Sequence, residues 1–294
     1  MSGLFDETGE PDSLYERIRT SDLTHIEALR ERLEGMWSMF APHADRHFLV
    51  EFRKEINARY WEMYLTCAFL EKGWEVASGD HGPDILLLHE GQRVWIEAVE
   101  ATQGADGSMD RCPDFPEGVA FDFPEEQIVL RYRNAIEQKH QRRLEFIESG
   151  IVGPTDVYII AVNSGCIPFA FVSEDPPRIV GAVYPMGALQ VHIGEDGQTL
   201  GVDNVYRPSV SKASGSQVKT DVFLDEGYSG ISAVICSGAN ALNVPSEIGS
   251  DLVLVHNLTA ASPVPSAWWP FGDEWSGRLV EDGLTISKLG ETEA

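Results

Sequence analysis

Three carboxylates stand out by their neighbours. Asp84 follows Gly82-Pro83 at the predicted start of a strand, Glu97 lies inside the apolar run Trp95-Ile96-Glu97-Ala98-Val99, and Glu62 sits in a predicted helix after Arg59-Tyr60-Trp61. A carboxylate enclosed by apolar strand residues is costly to bury uncompensated, so this pattern asks for a cation. Each residue also has a plain structural reading. Glu62 can pair with Arg59 three positions earlier on one helix face, with Glu55 one repeat earlier as the fallback. Asp84 can cap a turn, and Glu97 can bridge to Arg93 on an exposed strand face.

Positioning these groups falls to a predicted succession of elements. Apolar residues recur at helical spacing from Ser13 to Phe40, with a break around Thr20 to Asp22 and a capping-box pattern in Thr24 and Glu27. A second helical stretch runs from about Leu49 to Glu71 and stops at Gly73. Strands follow at Trp74 to Ala77, Ile85 to Leu88 and Val94 to Val99, the last two joined by a turn at Glu90-Gly91. A long loop from Gly104 to Pro124 leads to a helix from Glu125 to Ser149 and then the apolar strand Val157 to Val162. Beyond Gly165, short strands are predicted at 169–172, 179–183, 189–193, 218–224, 231–236 and 252–255.

This order predicts a mixed α/β layer fold in three parts: a helical arm over 1–45, a core over 46–165, and a β-rich extension or closely packed subdomain over 166–294. The arm's apolar stripe needs cover, either from its own body or from a second copy in a homodimer.

Composition sets limits on partners. The chain has 294 residues, with 47 acidic against 22 basic and a formal charge of -25, which disfavours nonspecific attraction to phosphate backbones. Any nucleic-acid surface must then be local. The densest basic cluster is on the helix after the long loop, with Arg131, Arg133, Lys139, His140, Arg142 and Arg143; a solvated face of i,i+4 pairs with Glu137 and Glu145 explains it equally well. Four cysteines without a C-x-x-C pair suggest neither a zinc knuckle nor a disulfide framework. The lack of a long apolar run and of a basic leader predicts a soluble cytoplasmic protein without a membrane partner. No Ser-His-Asp set, P-loop or dinucleotide-binding glycine motif stands out.

Arg59-Tyr60-Trp61-Glu62, Gly82-Pro83-Asp84 and Ile96-Glu97-Ala98-Val99 resemble, in order, the helix Glu, "PD" and "E-x-K" motifs of PD-(D/E)XK enzymes. The resemblance covers roughly a third of the chain, from short motifs whose weight comes from their order. It implies a restriction-endonuclease-like core, a central mixed sheet flanked by helices, with Asp84 and Glu97 holding Mg²⁺ or Mn²⁺ and Glu62 assisting. The family's lysine position holds Val99, and Glu100 falls on the opposite face by strand alternation. Some members carry the lysine on a neighbouring helix, and Lys139 is the candidate for that role.

The activity implied is metal-dependent cleavage of nucleic acid, DNA in preference to RNA, in a defence against phage. Arg131, Arg133, Arg142 and Arg143 are the candidate backbone contacts. Two alternatives stand beside it: an inactive nuclease fold serving as a binding or regulatory module, and a metal hydrolase of small phosphate compounds. His81, Gln103 and Asp106 are lesser candidates near the site. Trp268 and Trp269 either stack bases or pack a terminal loop.

Overall fold

Asp12 opens the first helix: its side chain accepts the N–H groups of Leu14 and Tyr15 at 2.7 and 3.4 Å, satisfying donors that a helix start leaves free. The structure is a computed structural model describing residues 3–6, 11–77, 82–89, 91–115, 118, 120, 122–170, 172, 175–265, 268–281 and 283–290. Helix α1 spans Ser13–Thr20 and α2 spans Thr24–Phe40. The capping box does not form. Thr24 is already the first helical residue, Leu23 occupies the cap, and the Leu23 carbonyl takes the N–H groups of Ile26 and Glu27.

The single helix predicted over 49–71 is two: α3 (Phe48–Lys54) and α4 (Ile56–Glu71), broken at Glu55, whose φ of -137° and ψ of 57° leave the helical region. Phe48, Phe52, Ile56 and Tyr60 are buried across the break, so the apolar stripe runs on and periodicity alone misses it. Strands β1 (Glu75–Ala77), β2 (Ile85–His89) and β3 (Gln92–Glu100) follow, then helix α5 (Glu125–Glu148) and strand β4 (Val157–Asn163).

Farther on come helix α6 (Arg178–Val183) and strands β5 (Met186–Ile193), β6 (Thr199–Tyr206), β7 (Ser209–Ser211) and β8 (Gln217–Lys219). The chain then gives β9 (Ala233–Ser237), β10 (Val253–His256), β11 (Glu274–Val280) and β12 (Gly283–Lys288). The segment 179–183 is helix rather than strand. All of α6 is buried, and a short continuous apolar run carries no period to separate the two. No strand forms over 169–170, where Phe169 has a φ of 69°, and the stretch predicted over 218–224 splits between β8 and a 3₁₀ turn at Val222–Leu224.

One eight-stranded sheet runs in the order β1-β2-β3-β4-β9-β10-β11-β12. Strands β1 to β3 pair antiparallel, β3, β4 and β9 are parallel, β10 is antiparallel to β9, β11 is parallel to β10, and β12 is antiparallel to β11. The β-rich half therefore continues the sheet of the first half. Side-chain alternation divides the interior in two. Val94, Ile96, Ile159, Ala161, Ile235 and Leu254 share a core with α1, α2, α3 and α4, whereas Trp95, Tyr158, Ile160, Val162, Val234 and Val255 share one with α5 and α6.

Tyr15, Ile18, Ile26, Leu33, Met36, Trp37 and Phe40 of the arm are buried in the first core. The stripe offered for a homodimer seam is thus used inside the chain. Among the described residues, no helix is long and apolar enough to cross a membrane.

Candidate metal centre

Register does for Asp84 and Glu97 what their separation in sequence conceals. Ile85 of β2 lies opposite Ile96 of β3, and the residue before Ile85 continues that antiparallel register onto Glu97. The Ala98 N–H donates to Asp84 Oδ2 at 2.7 Å, which locks the aspartate against β3. Glu97 is only 4% exposed. It shares a strand face with Trp95 and Val99, both packed in the α5 core.

From α5, Lys139 Nζ donates to Glu97 Oε1 at 2.7 Å. The other oxygen, Oε2, is buried and has no partner. Glu62 comes from α4, which packs on the opposite face of β3, and Arg59 Nη1 donates to it at 2.7 Å. Arg59 is also paired with Glu51 and, at 3.9 Å, with Asp45, so it is shared among three carboxylates.

Electrostatics ties the carboxylates together. Burial, then the charge of Asp84, raise the Glu62 pKa from 4.5 to about 7, against the opposing hydrogen bond from Arg59. Glu97 is raised from 4.5 to about 7 by the same two causes, with Lys139 opposing them. Asp84 keeps solvent access, yet the protein crowding its carboxyl raises its pKa as well, against Lys139 and the Ala98 N–H. Asp84 and Glu97, ionised around the single ammonium of Lys139, retain excess negative charge. A divalent cation would compensate that excess.

Among the described residues, no group of three or more His, Cys, Asp or Glu side chains is already drawn together as a metal-holding set. The fit to a hard cation rests instead on donor chemistry and on the unpartnered Glu97 Oε2, an oxygen that otherwise stays buried without a hydrogen bond.

The arginines predicted to grip a phosphate backbone do not form a common surface. Arg133 is 3% exposed, its Nε donates to the Lys219 carbonyl at 2.8 Å, and its guanidinium lies over the Tyr228 ring. Arg143 is 7% exposed, with its guanidinium over Tyr158. His140 stacks on Tyr228 at 4.6 Å between ring centroids. Arg131 is half-buried beside Gly104, where a β-carbon would fall 2.5 Å from Nη1. Only Arg142 of the four is exposed, and it pairs with Glu145. The physical reason is that the Lys219–Ile231 segment folds over α5, converting a basic helix face into an internal one.

Gln103 donates to the Cys112 carbonyl and to Asp114, and Asp106 pairs with Arg111, so both organise the long loop. Glu100 faces away from Glu97, as strand alternation predicts, and is hydrogen-bonded to Cys166. Trp268 is buried against Phe69 and Trp74, which makes it a packing residue. His81 and Glu90 lie outside the described residues.

Tyr158 was not legible as a site neighbour. It lies opposite Trp95 on the parallel strand β4, its hydroxyl is buried without a partner, and Glu97 and Asp84 both contribute to raising its pKa after burial. Only the β3–β4 register brings it there. No protein-family model matches the chain, and no curated protein or solved structure matches it significantly.

Proposed function

We propose that this protein is a metal-dependent phosphodiester hydrolase of the PD-(D/E)XK kind, with DNA preferred to RNA as substrate. The observation that carries the reading is the 2.7 Å contact of Lys139 with Glu97, directly beside Asp84, the residue that leads into the neighbouring strand β2. It supplies from α5 the ammonium that Val99 cannot supply from β3. The order α4, three antiparallel strands, α5 and parallel β4 further supports a restriction-endonuclease-like core.

In this reading Asp84 and Glu97 would hold Mg²⁺ or Mn²⁺, with Glu62 alongside. When bound, such an ion acidifies water and neutralises charge on a phosphoryl group. Lys139 fixes the Glu97 carboxylate and would orient the attacking water. The Ala98 N–H fixes Asp84, and Arg59 limits the motion of Glu62.

A second reading, hydrolysis of small phosphate compounds, is favoured by the burial of Arg133 and Arg143 together with the charge of -25, because a small anion needs no extended basic surface. The test is incubation of wild type, Glu97→Ala and Lys139→Ala with plasmid DNA, single-stranded DNA and structured RNA in Mg²⁺, Mn²⁺ or EDTA. Metal-dependent cutting lost in both variants is the expected result. Cutting retained in Lys139→Ala removes the role assigned to that lysine, and no cutting of any polymer with turnover of a small phosphodiester selects the second reading.

A further inference from the structure

Strands β5 and β6 form a two-stranded ribbon outside the main sheet. Leu189, Val191 and Ile193 alternate along β5 with Gln190 and His192, and Val191 lies opposite Val202. These four apolar residues are 61%, 49%, 67% and 55% exposed in the order Leu189, Val191, Ile193, Val202, and Leu200 at the register shift near the tip is 73% exposed. Gln190, His192 and Asp203 are exposed too, with His192 and Asp203 3.1 Å apart, so the ribbon stands clear of the body on both faces. An isolated two-stranded ribbon is only marginally stable in water, and a contiguous apolar row of this kind marks a contact surface.

We infer that this face is where two copies of the chain associate, ribbon against ribbon about a two-fold axis. From residue 186 to 206 there is no lysine or arginine, while Glu195, Asp196 and Asp203 are acidic, so a phosphate backbone or an anionic lipid surface is repelled. The row itself carries no charge and presents the same pattern to its symmetry mate, as a self-complementary two-fold contact requires. Eight-residue strands extend about 27 Å at about 3.4 Å per residue. Antiparallel stacking then holds the acidic tips at Glu195 and Asp196 apart by more than the Debye length of about 8 Å, so salt screens their mutual repulsion.

Covering the five side chains on each copy buries on the order of 1,000 Å² in total, which is at the low end for a specific interface and fits a reversible dimer. The arm's apolar stripe is unavailable for this role, because it is buried in the core.

Sedimentation velocity of the full chain over a concentration series tests the assignment. Wild type is expected to dimerise, and Val191→Lys/Val202→Lys to raise the dissociation constant by about 100-fold, or about 2.7 kcal/mol, with unchanged circular dichroism. Val191→Cys is expected to give a disulfide-linked or bismaleimide-linked dimer. The native cysteines offer no equivalent, since Cys67, Cys112 and Cys236 are buried and Cys166 is half-buried. A wild type that stays monomeric throughout overturns the inference. So does a dimer that survives the double lysine substitution, or one that is not crosslinked through position 191.

Discussion

Glu97 and Arg143 both reach the interior from stretches where charge interrupts apolar residues, and their circumstances there differ. Glu97 meets a second carboxylate across the sheet and a single ammonium, and is left with one oxygen unpartnered. Arg143 lies against a tyrosine ring, and Arg133 farther up the same helix is bonded to a backbone carbonyl; each also keeps one buried nitrogen without a hydrogen bond, so the contrast lies in the charges nearby. One group concentrates charge of one sign, with its members mutually perturbing; the other disperses its charge onto aromatic faces and carbonyls. A buried charge points to chemistry when like charges crowd it, and to architecture when aromatic rings and carbonyls surround it.

The largest effect that sharpens this contrast is expected in the carboxylates. Glu97→Gln or Asp84→Asn should reduce metal-dependent cleavage by about 1,000-fold or more in a plasmid-nicking assay, while the fold persists. Lys139→Ala should cost about 100-fold. Adding Val99→Lys to it should restore part of the loss, because position 99 shares the strand face of Glu97; failure of that rescue with an intact fold would mean that the ammonium must approach from α5.

On the architectural side, Arg133→Ala should lower unfolding free energy by about 1–3 kcal/mol in a denaturant titration, since it strands the Lys219 carbonyl, and should leave the cleavage rate of the folded fraction unchanged. A selective loss of cleavage without loss of stability would erase the distinction between the two groups.

The pH dependence separates them further. Glu62 and Glu97 have folded pKa values raised from 4.5 to about 7. Each favours the folded state fully below pH 4.5, and that contribution is lost as the pH rises through about 7. Thermal unfolding in EDTA should therefore show a melting temperature that declines over this window by a few degrees, with a shallower decline in Glu97→Gln. The smallest effect belongs to exposed Arg142, where Arg142→Ala should change stability by no more than about 0.5 kcal/mol in the same titration.

The carboxylates were legible because proline, glycine and apolar neighbours give Asp84 and Glu97 distinctive local settings, and Lys139 became a candidate because the resemblance leaves Val99 at the lysine position. Strands β1 to β4 and helix α5 followed from hydrophobic period and breakers, whereas the break at Glu55 that starts α4 did not. Burial of Arg133 and Arg143 was not legible, since the covering segment begins at Lys219, 86 residues after Arg133. Strand β11 was missed for a related reason. Gly277 reads as a strand breaker, but a β-carbon there would fall 2.8 Å from the Tyr184 ring, so glycine is what allows the two to meet.

The most direct test of the metal centre is calorimetric titration of Mn²⁺ into the protein at pH 7, in two buffers of different ionisation enthalpy. With Glu62 and Glu97 both titrating near 7, wild type is predicted to bind Mn²⁺ with release of protons, and Glu97→Gln to lose most of that binding. Absence of binding in the folded wild type, or binding that releases no protons and is indifferent to Glu97→Gln, would contradict the account.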